Sequence, residues 1–389
     1  MLDYQLTELQ QEVKGLAKEI AENDIKPVRA QYDNNHTFPT DIMEKCAQAG
    51  LFGLFIPEEY DGLAQSPAKG VMELCIAVEE LSKACGSIAI SYAGTALGTF
   101  PILLSGNEEQ KKKYLPRIAE GTIAAFALTE ANAGSDALAM QTSAKKDGDY
   151  YILNGTKQWI TNAEHAEIYT VFAVTDRSRG ARGLSCFIVE KGTEGFSFGK
   201  DEEKMGINSS ATKELIFDDC KIPAENLILK EGLGVKAAIG TLNHSRPGVG
   251  AQALGIAAGA IDEAVAYAKE RVQFGQKIIS FQAIQHMIAD AAMQVEAARS
   301  LIYNVARAVD SGQKDFAHYS AMAKCFASDV AMKVTTDMVQ VAGGYGYMKE
   351  YPFEKYMRDA KITQIYEGTN QIQRNEIALG VIKESNKKK

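Results

Sequence analysis

Paired chemistry is scarce in this sequence. The six cysteines (Cys46, Cys75, Cys85, Cys186, Cys220 and Cys325) are dispersed, with no CxxC pair and no histidine at zinc-ligand spacing. They read as reduced cytoplasmic thiols. The five histidines (His36, His165, His244, His286 and His318) are equally scattered, which leaves metal catalysis without a ligand set. Positive charge is short as well: 42 Lys plus Arg stand against 50 Asp plus Glu, a net −8, which disfavours a general nucleic-acid binder. The most apolar stretches, such as Gly248 to Ile261, carry Gly and Gln and are followed at once by charge, here Asp262 and Glu263, short of the roughly 18 unbroken apolar residues of a membrane span. Met1 to Leu6 has neither the basic nor the apolar region of a secretory signal, so export is not expected. No GxGxxG follows a strand-like segment, and a Rossmann domain is not expected.

What is present is an ordinary globular composition, 46% hydrophobic and 24% charged over 389 residues. At about 100 to 200 residues per domain, that length implies two or three domains. Residues 1–121 read as a helical domain: Leu9, Val13, Leu16 and Ile20 recur at helical spacing, and Val71 to Ala84 repeats the pattern. Thr40 or Asp41 would cap one helix, and Asn107 with Gln110 would cap another. Residues 122–232 change character. Short β-branched and aromatic runs at 124–129, 150–153, 158–161, 169–175, 184–190 and 214–217 suggest an antiparallel sandwich or barrel. Asn154-Gly155 predicts a two-residue hairpin turn, because a type I′ turn needs positive φ at both central residues. Residues 233–389 return to helical spacing, with Phe281, Ile284, Ile288, Ala292, Val295 and Ile302 on one face. Met322, Phe326, Val330, Val334, Met338 and Val341 line another, and together they suggest a helix bundle with a frayed basic tail at Asn386 to Lys389.

The segment Ile365-Tyr366-Glu367-Gly368 sets a lone carboxylate between apolar neighbours and a glycine. Burial would raise its pKa and suit it to act as a general base, while the same residues also fit a helix-end Glu beside a glycine cap. Ala127 to Asp136 runs from a strand into small residues that could cradle a phosphate or a ring edge, or form a plain Gly-Ser-Asp turn. Trp159, the only tryptophan, fits either core packing or a ring-stacking wall. Gly343-Gly344-Tyr345-Gly346 resembles a phosphate loop without the Lys-Ser or Lys-Thr that completes one. Arg246 before Pro247 and Arg271 near Gly275 are the cations best placed to meet anions, the Pro and Gly fixing the adjoining turns, though either fits a solvated arginine.

Taken jointly, these segments resemble the acyl-CoA dehydrogenase family over essentially the whole chain. Ala-Leu-Thr-Glu-Ala-Asn-Ala-Gly-Ser-Asp (127–136) looks like the first family signature. The run from Gln340 to Gly346, with Met357 to Ala360 and Ile365 to Thr369, looks like the second. The resemblance implies an α+β multidomain fold: an N-terminal helical domain, a middle antiparallel β-domain and a C-terminal four-helix bundle, assembled as a homotetramer around FAD. It implies flavin contacts from Phe126, Leu128, Thr129 and Ser135, with Trp159 and Thr161 beside the ring system. Arg271, Phe274, Gln282, Gln340, Gly343 and Gly344 would touch FAD of a neighbouring subunit, and Thr369 and Gln371 would complete the cradle.

By the same resemblance, Glu367 is the base that removes the α-proton of an acyl thioester while a hydride leaves the β-carbon for the flavin, giving the trans-2-enoyl-CoA. Ser135, Ser210, Asn243 and Arg246 would line the CoA and acyl path, with Tyr366 and Gly368 flanking the base. Isovaleryl- and long-chain relatives carry their base one residue before the arginine matching Arg246. Ser245 stands there, so Glu367 keeps the role. The arginine with which glutaryl-CoA dehydrogenases meet a distal carboxylate is replaced near Ile88, within Ser87-Ile88-Ala89-Ile90, which disfavours a dicarboxylyl substrate. The expected activity is that of a short- to medium-chain dehydrogenase, most like the bacterial butyryl-CoA enzymes, passing electrons to an electron-transferring flavoprotein. An enoyl-CoA reductase in an anaerobe would run the same chemistry backwards. A noncatalytic DNA-associated relative is disfavoured by the charge of −8.

Overall fold

The computed structural model describes residues 4–65 and 70–387. Thr7 opens the first helix with a reciprocal cap: its hydroxyl accepts from the Gln10 N–H while the Gln10 side chain accepts from the Thr7 N–H. Helix α1 (Glu8–Ile20) then buries Val13, Ala17 and Ile20. It is followed by α2 (Arg29–Asn35), α3 (Thr40–Gln48), α4 (Val71–Ala84), α5 (Gly86–Ser105) and α6 (Glu108–Ala119). Asn107 caps α6 as its spacing with Gln110 predicts. Neither Thr40 nor Asp41 caps α3. Pro39 holds the cap position, where its missing N–H costs nothing, and Thr40 is already helical.

Eight strands follow: β1 (Ala124–Ala127), β2 (Ser143–Asp147), β3 (Tyr150–Thr161), β4 (Ile168–Val174), β5 (Leu184–Glu190), β6 (Phe196–Asp201), β7 (Thr212–Pro223) and β8 (Leu227–Ile228). The sheet order is β6-β7-β3-β2-β4-β5-β8, with β1 also on β4. Most neighbours are antiparallel, but β1 and β2 each run parallel to β4. β4 is buried on both faces. Ile168 and Phe172 enter the core shared with the helices, and Tyr169, Val171 and Ala173 enter a second core with Leu153, Phe187 and Leu215. That double burial accounts for its unbroken apolar reading.

Asn154-Gly155 does not make the hairpin expected of it. β3 continues through both residues, and the turn lies at Gly148-Asp149, with Asp147 paired to Tyr150 and Gly148 at φ +57°. The Asn-Gly pair serves a register shift against β7 instead. A Cβ on Gly155 would stand 2.6 Å from Thr142 Cα, and the Asn154 amide bonds Asp219 in both directions, at 3.0 and 2.8 Å. The positive φ that predicts a turn is spent on a close approach between strands. β2 and β6 carry too few buried residues to be seen in the sequence pattern.

The chain then returns to helices: α7 (Gly234–Glu270), α8 (Gln282–Asp310), α9 (Ala317–Ala342), α10 (Gly344–Tyr347), α11 (Phe353–Thr363) and α12 (Asn370–Lys387). Pro247 lies inside α7, not at a turn, so Arg246 is a helical residue. Phe281, Ile284 and Ile288 are only half-buried and Ala292 is exposed, the buried line of α8 being Ala291, Val295, Ala298 and Ile302. Phe326 is exposed, while Val330, Val334, Met338 and Val341 are buried. Of the tail expected to fray, Asn386 and Lys387 are helical, Lys387 ending α12 and bonding Asp315 at 2.6 Å; residues 388–389 lie outside the described residues. By length and composition α5 and α7 could cross a membrane, yet 83% and 72% of their apolar windows are buried within the fold. Their apolarity is used by the core: α4, α5 and α9 all pack on α7.

Candidate active site

The link between α11 and α12 carries two consecutive left-handed residues, Glu367 at φ +52° and Gly368 at φ +93°. For glutamate this conformation costs on the order of 1 kcal/mol and persists only where its surroundings hold it. The Gln373 side chain donates to the carbonyls of both Glu367 and Gly368 at 3.0 Å. Lys324 Nζ donates to Gly368 O at 2.8 Å. A Cβ at position 368 would stand 2.5 Å from Gln373 Nε2, so the glycine is required by the clamp as well as by its φ.

The turn sends the Glu367 carboxyl towards α7, where the Ser245 hydroxyl donates to Oε2. Burial raises the Glu367 pKa, and Ser245, Arg246 and Lys324 oppose that rise. Arg246 is buried, its NH1 bonds Asn243 Oδ1 at 3.2 Å, and its Nε has no partner. A buried guanidinium with an unused donor is primed for an anionic or carbonyl ligand.

Glu367, Tyr366, Gly368 and Arg246 form one wall of a cavity of about 220 Å³. Phe126, Leu128 and Thr129 form another, with Ser135 at the rim and Trp159 and Thr161 beside them. Trp159 reaches this wall because the β3–β7 register shifts between Lys157 and Ile160: it sits at φ +57° with 55% of its surface exposed, and does not pack in the core. Behind it a buried ion pair fixes the exit of β1. Lys157 Nζ donates to Glu130 Oε1 at 2.8 Å and to Leu128 O at 3.0 Å, while Glu130 accepts from the N–H groups of Gln141 and Thr142 at 2.6 and 2.9 Å. Burial drops the Lys157 pKa to about 8.

Beyond Glu367 the cavity narrows into an apolar blind end lined by Leu74, Ile90, Leu97, Phe100 and Val249. Gln252 closes it, accepting from the Tyr366 hydroxyl and donating to Gly86 O at 3.0 Å. Ile90, not Ile88, faces this space, since Ile88 is buried in the core one helical face away. No cation lines the blind end among the described residues.

A second, wider cavity of about 600 Å³ brings together Arg271, Phe274, Gly343 and Gly344 with Phe281 and Ile284. Phe274 and Gly275, at φ +52° and +79°, form the tip of a short hairpin after α7 and leave Phe274 94% exposed. The Arg271 guanidinium lies 5.3 Å from the Tyr345 ring centre. Gln282 and Gln340 are exposed and do not line this cavity. Thr369 caps α12, accepting from Ile372 N at 3.3 Å, and Gln371 points outward on its first turn. Ser210 is buried with a partnerless hydroxyl and lines neither cavity. Lys324, Gln373, Gln252 and the Lys157–Glu130 pair went unread in the sequence. Their one signal is a charged or amide group at a position whose helical or strand period faces the core.

Three family models match in order: acyl-CoA dehydrogenase N-terminal domain over 7–122, middle domain over 125–220 and C-terminal domain over 232–382. A short-chain-specific acyl-CoA dehydrogenase of Clostridium acetobutylicum is 47% identical over 96% of this chain and 98% of its own. An acryloyl-CoA reductase (NADH) of Anaerotignum propionicum is 47% identical over 98% and 96%. Among solved structures, butyryl-CoA dehydrogenase from Megasphaera elsdenii superposes with a TM-score of 0.95 at 46% identity, covering 98% of this chain and 100% of that one. A chain solved in work on the electron transferring flavoprotein of Acidaminococcus fermentans gives 0.94 at 51% identity, covering 98% and 99%.

Proposed function

The chain belongs to the acyl-CoA dehydrogenase family, and we propose that it desaturates short-chain acyl-CoA thioesters between the α- and β-carbons. The observation that carries this reading is the placement of Glu367, on a strained turn at the junction of a ring-sized cavity and a short apolar blind end. The family is FAD-dependent, and this cavity fits a flavin: aromatic and aliphatic walls from Phe126, Leu128 and Trp159, and hydroxyls from Thr129, Thr161 and Ser135. When bound, FAD accepts the hydride that leaves the β-carbon.

The chain's own residues do the rest. Glu367 takes the α-proton. Its raised pKa makes it a better base than an exposed carboxylate while Arg246 and Lys324 keep it ionisable. The Glu367 N–H would donate to the thioester carbonyl, where enolate-like charge collects. Arg246 and Asn243 would meet the CoA side of the substrate, together with Ser135. The acyl chain would enter the blind end and stop at the Gln252–Tyr366 bond, which favours short chains; with no cation there among the described residues, a distal carboxylate is disfavoured.

Arg271, Phe274, Gly343 and Gly344, with the exposed Gln282 and Gln340, would hold the far part of FAD from a neighbouring copy in a homotetramer; the exposure of Phe274 and the open form of that cavity support this. Thr369 and Gln371 would close the cradle. Electrons would pass to an electron-transferring flavoprotein in the cytoplasm. Incubation of the purified protein with butyryl-CoA and an artificial electron acceptor should yield a thioester lighter by two hydrogens that co-elutes with trans-2-butenoyl-CoA. Its absence with every short acyl-CoA would reject the reading. The similarity to an acryloyl-CoA reductase favours a second reading, reduction of a short enoyl-CoA by the same residues, and product formation from butenoyl-CoA under a reducing partner would select it.

A further inference from the structure

Helix α9 packs an apolar face into the bundle, and in the middle of that face stands Lys324, with no solvent exposure. A fully buried ammonium is costly unless its protons are taken up. Its two acceptors lie in and just after the catalytic turn: Gly368 O at 2.8 Å and Asn370 Oδ1 at 2.9 Å. Neither acceptor is free to move. Gln373 also holds Gly368 O, and the Asn370 amide donates to Ser328 Oγ at 2.9 Å and Asp329 Oδ1 at 2.8 Å. Asp329 is pinned in turn by Arg374 at 2.6 Å and Gln364 at 2.7 Å.

The charge of Lys324 also has a target. Its positive charge opposes the rise that burial gives the Glu367 pKa, and the negative charge of Glu367 in turn favours the ammonium. The groups facing Glu367 are Ser245 and Arg246 from α7 and Lys324 from α9. Cys325 and Asp329 on α9 and Glu376 on α12 act on those two cations, and α5 contributes only apolar side chains to this wall. Arg246 opens on the cavity and would meet ligand directly, whereas Lys324 does not line it. Its influence can therefore reach the reaction only through the turn.

We propose that Lys324 is the positioning residue of the catalytic base: it holds the Gly368 carbonyl so that Glu367 keeps its left-handed conformation, and its charge keeps the Glu367 carboxylate ionised within an apolar wall. This rests on Glu367 being the base. Lys324→Gln keeps a donor for the Gly368 carbonyl and removes the charge, while Lys324→Met removes both.

The test is the anaerobic rate of flavin bleaching by butyryl-CoA between pH 6 and 9 in FAD-loaded wild type, Lys324→Gln, Lys324→Met and Glu367→Gln. Infrared titration of the protonated-carboxyl band that Glu367→Gln abolishes accompanies it. Lys324→Gln should be about tenfold slow at pH 6.5 and within about twofold of wild type at pH 9, with KM little changed. The two converge because burial brings the pKa of Lys324 itself to about 8. Lys324→Met should be slower at every pH, and in both variants the carboxyl band should persist to higher pH. If Lys324→Met fails to fold, Lys324→Gln carries the test alone. A silent Glu367→Gln combined with a Lys324→Gln that matches wild type, or is slowed equally at all pH values with an unmoved band, would overturn the proposal alone. Bleaching of Glu367→Gln at the wild-type rate would overturn the base assignment and the proposal with it.

Discussion

The two cavities differ in what completes them. The one around Glu367 is closed by a single chain: α5, the β1 exit, the β3 bulge, α7 and the α11–α12 link each supply a wall. The turn that carries Glu367 is clamped by Gln373 and Lys324. The one around Arg271 is open and holds the most exposed phenylalanine of the described residues, with the glycines 343 and 344 at its edge. The first has the features of a site where atoms react, since strain, burial and fixed donors are kept where geometry must hold. The second has the features of a surface that another body covers, because a large apolar side chain left in water is a cost unless something buries it.

That contrast can be broken most easily at its strongest point. Glu367→Gln should lower the rate of flavin reduction by butyryl-CoA by about 10³-fold, within the range for loss of a general base, while the flavin spectrum stays that of wild type. A change at the open cavity should do the reverse. Arg271→Ala or Phe274→Asp should weaken FAD retention about tenfold on dilution, read as released flavin fluorescence, and leave the rate of flavin reduction in the loaded protein within about threefold. Equal effects of both kinds of variant on both readouts would dissolve the distinction.

The pH dependence should come from the enclosed site. Burial raises the pKa of Glu367, so its reactive ionised form is lost as pH falls through that raised value. The acid limb of kcat should therefore lie above the ordinary carboxylate range, with about a tenfold loss per pH unit below it. A limb at the ordinary position would mean that the wall is wetter than the geometry implies. The smallest effect is expected at the blind end. Gln252→Ala removes the stop beyond Tyr366 and should raise kcat/KM for hexanoyl-CoA relative to butyryl-CoA by about three- to tenfold, in line with the modest worth of one or two methylenes.

The sequence showed block order and long helices well, because periodic burial is written directly in residue spacing. Val71 to Ala84 is an instance: its predicted ends are those of α4. It misled where one local rule served two structures. Asn154-Gly155 offers positive φ, and a bulge uses that as readily as a hairpin does; the Asp147-Gly148 signal seven residues earlier marks the real turn. Pro247 reads as a break, but α7 is held on several sides by other helices and absorbs one missing N–H. Trp159 could not be assigned between core and wall, because only the register shift against β7 decides which way it faces. Lys324 and Gln373 were silent for a different reason. They share the Gly368 carbonyl as a partner, 44 residues from Lys324 and five from Gln373, and a carbonyl has no side-chain identity to read.

The central claim is that Glu367, set by its clamped turn within a single chain, removes the proton that lets the acyl thioester reduce the flavin. Its most direct test is anaerobic titration of the purified yellow protein with butyryl-CoA, following flavin absorbance in wild type and Glu367→Gln side by side. Bleaching in wild type with none in the variant is the expected result. Equal bleaching in both, with FAD bound in both, would contradict it.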